Sequence, residues 1–334
     1  VEKITLALPD AKIKEEIRAS WRHKLGTQSL GRLEEMVVDY GGMIGSVPQK
    51  IKAALLIMCG DHGIAKYGVS AFNQAVTYQM IQGYMRDTAG ANVFARHSGA
   101  KVVVVDAGTA ADLKAYAQVR HYKVAPGTND FTQGPAMTSQ QAQQALKVGM
   151  EAAEEQMARG YNLLLTGEMG IGNTTSTAAI VAAFFGLPPE ETVGRGSGIN
   201  DERLQIKRQV VAAGLAKNEP KAGDGLDILI KLGGYEHAAL AGMMIGGALK
   251  RVPTIIDGVN ATAAALIACS LVPDCKNYLF CSHLSAEQAH QKMLAYLGLN
   301  PVVDAQMRLG EGTGAALALN LLRLSLGTYH DLGW

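Results

Sequence analysis

The chain is poor in cysteine, in net charge and in long apolar runs, and each shortage excludes something. Of 334 residues only Cys59, Cys269, Cys275 and Cys281 are cysteine. No two form a CxxC pair, and the last three, each six residues from the next, match no common zinc spacing. The reading is reduced, mostly buried thiols in a cytoplasmic protein with no metal site. Lys and Arg number 31 against 30 Asp and Glu, a formal charge of +1. No basic stripe appears, so nucleic acid is not expected as a partner. A small anionic substrate stays open, because it needs only a few local donors. The longest apolar stretches, Ala238–Leu249 and Ala261–Val272, fall well short of the roughly 20 residues of a membrane span. The opening Val1-Glu2-Lys3-Ile4 carries no signal-peptide pattern. No repeat or low-complexity linker divides the chain.

What is present is core. Apolar residues make up 48% of the sequence, enough for a large domain with a smaller one beside it. Helical spacing runs through Asp10–His23 and Leu30–Val38. Short apolar runs then alternate with Ala-rich helical stretches such as Thr138–Arg159 and Glu236–Arg251. The runs Ala53–Met58, Val102–Val105, Leu163–Leu165, Thr254–Ile256 and Tyr278–Cys281 each end on glycine or polar residues. This pattern predicts a mostly parallel sheet with helices on both faces. In such sheets ligands bind beyond the carboxyl ends of the strands, where Asp61, His62, Asp106, Glu168, Asp257 and His283 stand.

Three glycine-rich segments could carry chemistry. Gly167-Glu168-Met169-Gly170-Ile171-Gly172-Asn173-Thr174-Thr175 follows a strand-like run and opens a helix. Its glycines let backbone approach a ligand, and a helix start offers N–H groups to an anion. The order GxxGxG is not the dinucleotide fingerprint GxGxxG, which disfavours a nicotinamide-dependent oxidoreductase. Glu168 repels phosphate, so it points to a neighbouring task, such as holding a base or a ribose hydroxyl. The second segment, Gly194-Arg195-Gly196-Ser197-Gly198, precedes Lys207 and Arg208 and fits either a phosphate pocket or a capped flexible loop. The third, Arg308-Leu309-Gly310-Glu311-Gly312-Thr313-Gly314, places one carboxylate among glycines. Partial desolvation there would suit Glu311 to general-base work, although a helix N-terminus also favours a glutamate. His283, Glu287 and His290 imitate metal ligands on a helix, but nothing else completes a set.

Taken together, these segments resemble the nicotinate-nucleotide:dimethylbenzimidazole phosphoribosyltransferase family. The likeness runs through Cys59–Gly63, Gly68–Ser70, Val104–Gly108, Gly167–Thr175, Lys231–Glu236, Ile256–Gly258, Ser282–Glu287 and Arg308–Ala316, over nearly the whole chain and in order. The resemblance implies a large Rossmann-like domain over residues 30–282 and a small, mainly helical domain from residues 1–29 and 283–334 that contributes Glu311. It implies transfer of 5-phosphoribosyl from nicotinate mononucleotide to a small aromatic base, without cofactor or metal, in a homodimer. Glu311 would be the general base, with Glu168 beside it. The glycine loops (Gly170, Gly172, Asn173, Thr174, Gly196, Ser197, Gly198) and Lys207 would hold the nucleotide phosphate. Met169, Asp257 and Gly310 would complete the pocket, with Ala75 and Tyr78 in the base-framing segment 69–80. Some relatives activate phenol or p-cresol and work as paralogous pairs, which leaves a phenol-activating heterodimer subunit as the alternative.

Overall fold

The computed structural model describes residues 4–26 and 28–333. Its centre is one seven-stranded sheet: β1 (Ala53–Gly60), β2 (Lys101–Gly108), β3 (Arg120–His121), β4 (Leu163–Met169), β5 (Thr254–Ile256), β6 (Leu279–His283) and β7 (Pro301–Val303). The spatial order is β3-β2-β1-β4-β5-β6-β7, and every neighbouring pair is parallel. The unbroken apolar runs read as strands covered on both faces, and all eight residues of β1 are buried.

Helices supply the cover. Ser139–Ala158, Tyr235–Leu249 and Val259–Leu271 pack together over β1, β4 and β5, while Gly90–Ser98, Arg32–Ile44 and Thr313–Asp331 form a second group on the sheet. The first group crosses closely because its faces are alanine and glycine. A Cβ on Gly242 would stand 1.9 Å from the Leu146 carbonyl oxygen, and one on Gly149 1.8 Å from that of Ala239.

The chain ends meet. Asp10 caps the first helix, Ala11–Leu25, by accepting from Lys12 N–H and Ile13 N–H. Trp21 from that helix packs edge-on against Tyr329, with centroids 5.2 Å apart. Residue 282, the end of the expected large domain, lies inside β6, and residues 301–303 add β7 to the same sheet. β3 and β7, of two and three residues, have no apolar run to announce them.

Because the strands are parallel, their carboxyl ends share one edge. The register sets Met58 opposite Glu168 and Cys59 opposite both Asp106 and Met169. β1 and β4 are neighbours in space whose connections leave in opposite directions, and that junction opens a crevice at the carboxyl edge.

Candidate active site

A cavity of about 720 Å³ fills this crevice. Glu168, Met169, Gly170, Gly172, Asn173 and Thr174 line one side, Gly196, Ser197 and Gly198 another, and Asp257, Gly310 and Glu311 a third. The three glycine-rich segments, far apart in the chain, thus face one space. Apolar side chains of Phe72, Val76, Met80, Ile171, Val259 and Leu309 complete the wall.

The first wall turns sharply out of β4. Gly170 stands so close to β1 that a Cβ there would lie 1.9 Å from the Gly60 carbonyl oxygen. The helix Asn173–Phe185 starts immediately afterwards, with no side-chain cap at Gly172. Of its first N–H groups, those of Asn173 and Thr175 bond to the Gly170 and Gly172 carbonyls, while that of Thr174 has no such partner among the described residues and stays available to an anion. The helix Val259–Leu271, also uncapped by a side chain, begins at the same cavity.

Glu168 sits at the floor, 5% exposed. Burial pushes its carboxyl up to about 7, the Asn260 side chain beside it pulls down, and Asp257, Glu236 and Glu311 push further up. Asn173 Nδ2 also donates to Glu168 Oε2. A carboxyl that titrates near 7 when folded and near 4.5 when unfolded binds an extra proton in the folded state between those values. Its ionised form is therefore a cost to the fold, absent below about pH 4.5 and complete above about pH 7. Glu168→Gln removes that cost, and thermal melts should show it several degrees more stable than the wild type at pH 8, with the gap closing toward about pH 4.5. A variant less stable than wild type at pH 8 would contradict this account of the floor.

Glu311 occupies a turn of three consecutive left-handed residues, with φ of 83° at Gly310, 61° at Glu311 and 85° at Gly312. A glutamate rarely adopts that conformation, and its surroundings hold it there. Asp257 does so: its carboxylate accepts from Gly312 N–H at 3.1 Å and Ala315 N–H at 3.0 Å. This ties the turn to the start of helix Thr313–Asp331. Glu311 is 7% exposed. Burial raises its pKa, while the nearby Ala91 N–H and Tyr84 hydroxyl work against burial. Its Oε2 is closed off from solvent and has no hydrogen-bond partner of good geometry among the described residues, while the residue as a whole borders the cavity.

The second wall is held from behind. Lys207 does not line the cavity. Its Nζ donates to Thr174 Oγ1 at 2.9 Å and to the Gly194 carbonyl at 3.2 Å, so it ties the first two glycine segments together. Burial lowers its pKa to about 8 against the opposing pull of Glu287. Gly196 N–H donates to Glu287 Oε1 at 3.0 Å, and the Ser197 hydroxyl accepts from Ala71 N–H at 3.0 Å.

Two expected positions fall elsewhere. In the helix Ala75–Met85, Val76 and Met80 face the cavity, one turn apart. Ala75 is exposed, and the Tyr78 hydroxyl pairs with that of Tyr116 at 3.2 Å. The segment is the expected one, but the helical phase turns Ala75 and Tyr78 away. Asp61 and Asp106 are occupied with loops, accepting from Thr77 and Ala110 and from Thr109 respectively. His290 bonds to Thr262 and Ser285, and burial together with His283 pushes it down to about 3. It is a neutral structural histidine, not part of a ligand set with His283 and Glu287. Asn260, for which local sequence offers no signal, also lines the cavity, as do Ser285 and Arg308.

Comparison with known proteins agrees with this geometry. A family model described as phosphoribosyltransferase matches residues 6–333. The nicotinate-nucleotide–dimethylbenzimidazole phosphoribosyltransferase of Chloroflexus aggregans is 48% identical over 305 residues, 91% of this chain and 86% of that protein. The enzyme of the same name from Geobacter sulfurreducens is 48% identical over 312 residues, 91% of this chain and 89% of that protein. The crystal structure of CobT from Thermus thermophilus superposes with a TM-score of 0.90 at 40% identity, covering 96% of both chains. The chain belongs to the nicotinate-nucleotide–dimethylbenzimidazole phosphoribosyltransferase family.

Proposed function

We propose that the protein is a cytoplasmic enzyme that transfers 5-phosphoribosyl from nicotinate mononucleotide to 5,6-dimethylbenzimidazole or a close relative, giving α-ribazole phosphate and nicotinate for the nucleotide loop of a cobamide. The observation that carries this reading is a cavity with three buried carboxylates, of which Asp257 is engaged by backbone N–H groups and Glu168 and Glu311 remain for chemistry, walled by two helix starts without side-chain caps and an apolar side. Its volume suits two small ligands side by side.

The phosphate fits between the Gly170–Thr174 turn and the Gly196–Gly198 loop, where the Thr174 N–H and the charge of Lys207 behind Thr174 favour an anion. The flat base fits between Val76, Met80 and Leu309, next to Glu311. One ring nitrogen of the base attacks ribose C1. The bond from C1 to the pyridinium nitrogen breaks, and its electron pair neutralises that nitrogen. The other ring nitrogen gives its proton to Glu311. Glu168 stays near the ribose and offsets positive charge at C1. Orientation of the two bound substrates supplies much of the remaining rate.

A homodimer, with part of each pocket contributed by the neighbouring chain, belongs to the same reading. Light scattering should give a dimer, and a fully active monomer would refute it. The phenol-activating alternative finds no support in the relatives reported above, whose names specify dimethylbenzimidazole. Incubation with nicotinate mononucleotide and a panel of benzimidazoles, purines and phenols tests the choice of base. The expected product is the benzimidazole riboside phosphate, and a phenolic riboside as the dominant product would replace this assignment.

A further inference from the structure

Beneath the Gly170–Gly172 turn lies a polar group that the transfer itself does not use. His62, Glu236 and His237 are each at most 1% exposed. His62 Nε2 lies 2.7 Å from Glu236 Oε1, and His237 Nδ1 lies 2.9 Å from the same oxygen. Burial acts to raise the pKa of Glu236, but the two histidines outweigh it and hold this carboxyl far below the usual range. The first separation is that of a hydrogen-bonded pair, while His237 Nδ1, though close, has no hydrogen-bond partner among the described residues. Two ligands of one tetrahedral zinc stand about 3.4 Å apart, given metal–ligand distances of about 2.1 Å.

From this group a line of contacts leads to the cavity. His237 Nε2 lies 2.9 Å from Thr177 Oγ1, and Thr177 Oγ1 donates to Asn260 Oδ1 at 2.8 Å. A hydroxyl has one proton to give. Since Thr177 gives it to Asn260, its oxygen accepts from His237 Nε2–H. An amide whose oxygen is engaged presents its NH2 on the other side, and Asn260 lies against Glu168 there. Both Asn260 and Glu168 line the cavity, while Thr177, 2% exposed, and His237 do not.

We infer that His237 and Thr177 are positioning residues: through Asn260 they fix which way its amide faces, and so hold the Glu168 carboxylate in its working orientation. Without the Thr177 proton, only the pull of Glu168 on the NH2 group still distinguishes the two flips of the Asn260 amide. In the wrong flip an oxygen faces the Glu168 carboxylate and repels it. The inference rests on Glu168 taking part in the transfer, as proposed above.

Thr177→Val keeps the shape and deletes the hydroxyl, while Thr177→Ser keeps the hydroxyl. Both are made in wild-type and Glu168→Gln backgrounds, and kcat, both KM values and the melting temperature are measured. Loss of one oriented hydrogen bond predicts a kcat about tenfold lower in Thr177→Val, with KM values within about twofold and restoration by Thr177→Ser. In the Glu168→Gln background, itself expected to lose at least about tenfold in kcat, Thr177→Val should change kcat less than about twofold, because the group it acts through is gone. Unchanged kcat in Thr177→Val, or an equal loss in both backgrounds, overturns the positioning role. Full turnover in Glu168→Gln alone overturns the role of Glu168, and the positioning role with it, and that arm separates the two failures. If Thr177→Val does not fold, His237→Gln carries the same cycle with the same expected non-additivity.

Discussion

Glu311→Gln should lower turnover by on the order of 10²–10⁴-fold while leaving the fold and the binding of nicotinate mononucleotide nearly intact. The attacking benzimidazole must shed a proton from the nitrogen that does not attack, and the Glu311 carboxylate, which borders the cavity, is the acceptor proposed for it. Burial raises the pKa of Glu311 toward working pH, which makes it a better proton acceptor than an exposed glutamate. Glutamine keeps the length and the hydrogen-bonding capacity but cannot take the proton. The turn itself should tolerate the change, because it is held by Asp257 through the Gly312 and Ala315 N–H groups and not by the Glu311 side chain. Steady-state kinetics with both substrates checks this. Near-wild-type turnover in Glu311→Gln, with activity abolished in Glu168→Gln, would exchange the two roles.

The largest expected effect on stability lies far from the cavity chemistry. Gly242→Ala should cost about 3 kcal/mol or more, which lowers the melting temperature by about 4 °C or more in a chain of this size. The helices Ser139–Ala158 and Tyr235–Leu249 approach so closely that a new Cβ at Gly242 would lie 1.9 Å from the Leu146 carbonyl oxygen. Backbone cannot swing aside as a side-chain tip can, so the two helices must separate. Tyr235–Leu249 also lies on β1, β4 and β5 and carries Glu236 and His237. Its displacement would therefore loosen the floor beneath Gly170 as well. Thermal unfolding measures this, and a melting temperature within about 2 °C of wild type would mean the crossing adapts.

Much of this arrangement is legible in the sequence alone. Leu163–Leu165 followed by a glycine turn and a helix reads as a buried strand delivering its carboxyl end to a loop, and Glu168 stands at that end. The same logic places Asp257 at the shared edge, just after β5. Glu311, among glycines before an alanine-rich helix, announces a turn that needs unusual backbone, and all three residues at its centre have positive φ. What is not legible depends on phase and on distant pairing. Helix Ala75–Met85 begins without a side-chain cap. Its buried face is Thr77, Ile81 and Tyr84, and Val76 and Met80 beside it do the lining expected of Ala75 and Tyr78. Glu236 meets His62 across 174 residues, and Asn260 reaches Glu168 from the start of another helix, contacts that no local spacing encodes. Lys207, expected on the phosphate, does not line the cavity, because its ammonium is taken by Thr174 and Gly194.

The most direct test of the account is the stoichiometry of a single turnover. The protein is mixed in excess with nicotinate mononucleotide, with and without 5,6-dimethylbenzimidazole, and nicotinate and riboside phosphate are quantified together. The account predicts one riboside phosphate for each nicotinate released, and almost no nicotinate when the base is left out. Equal release of nicotinate without the base, with free ribose 5-phosphate as the other product, would contradict it and make the protein a hydrolase.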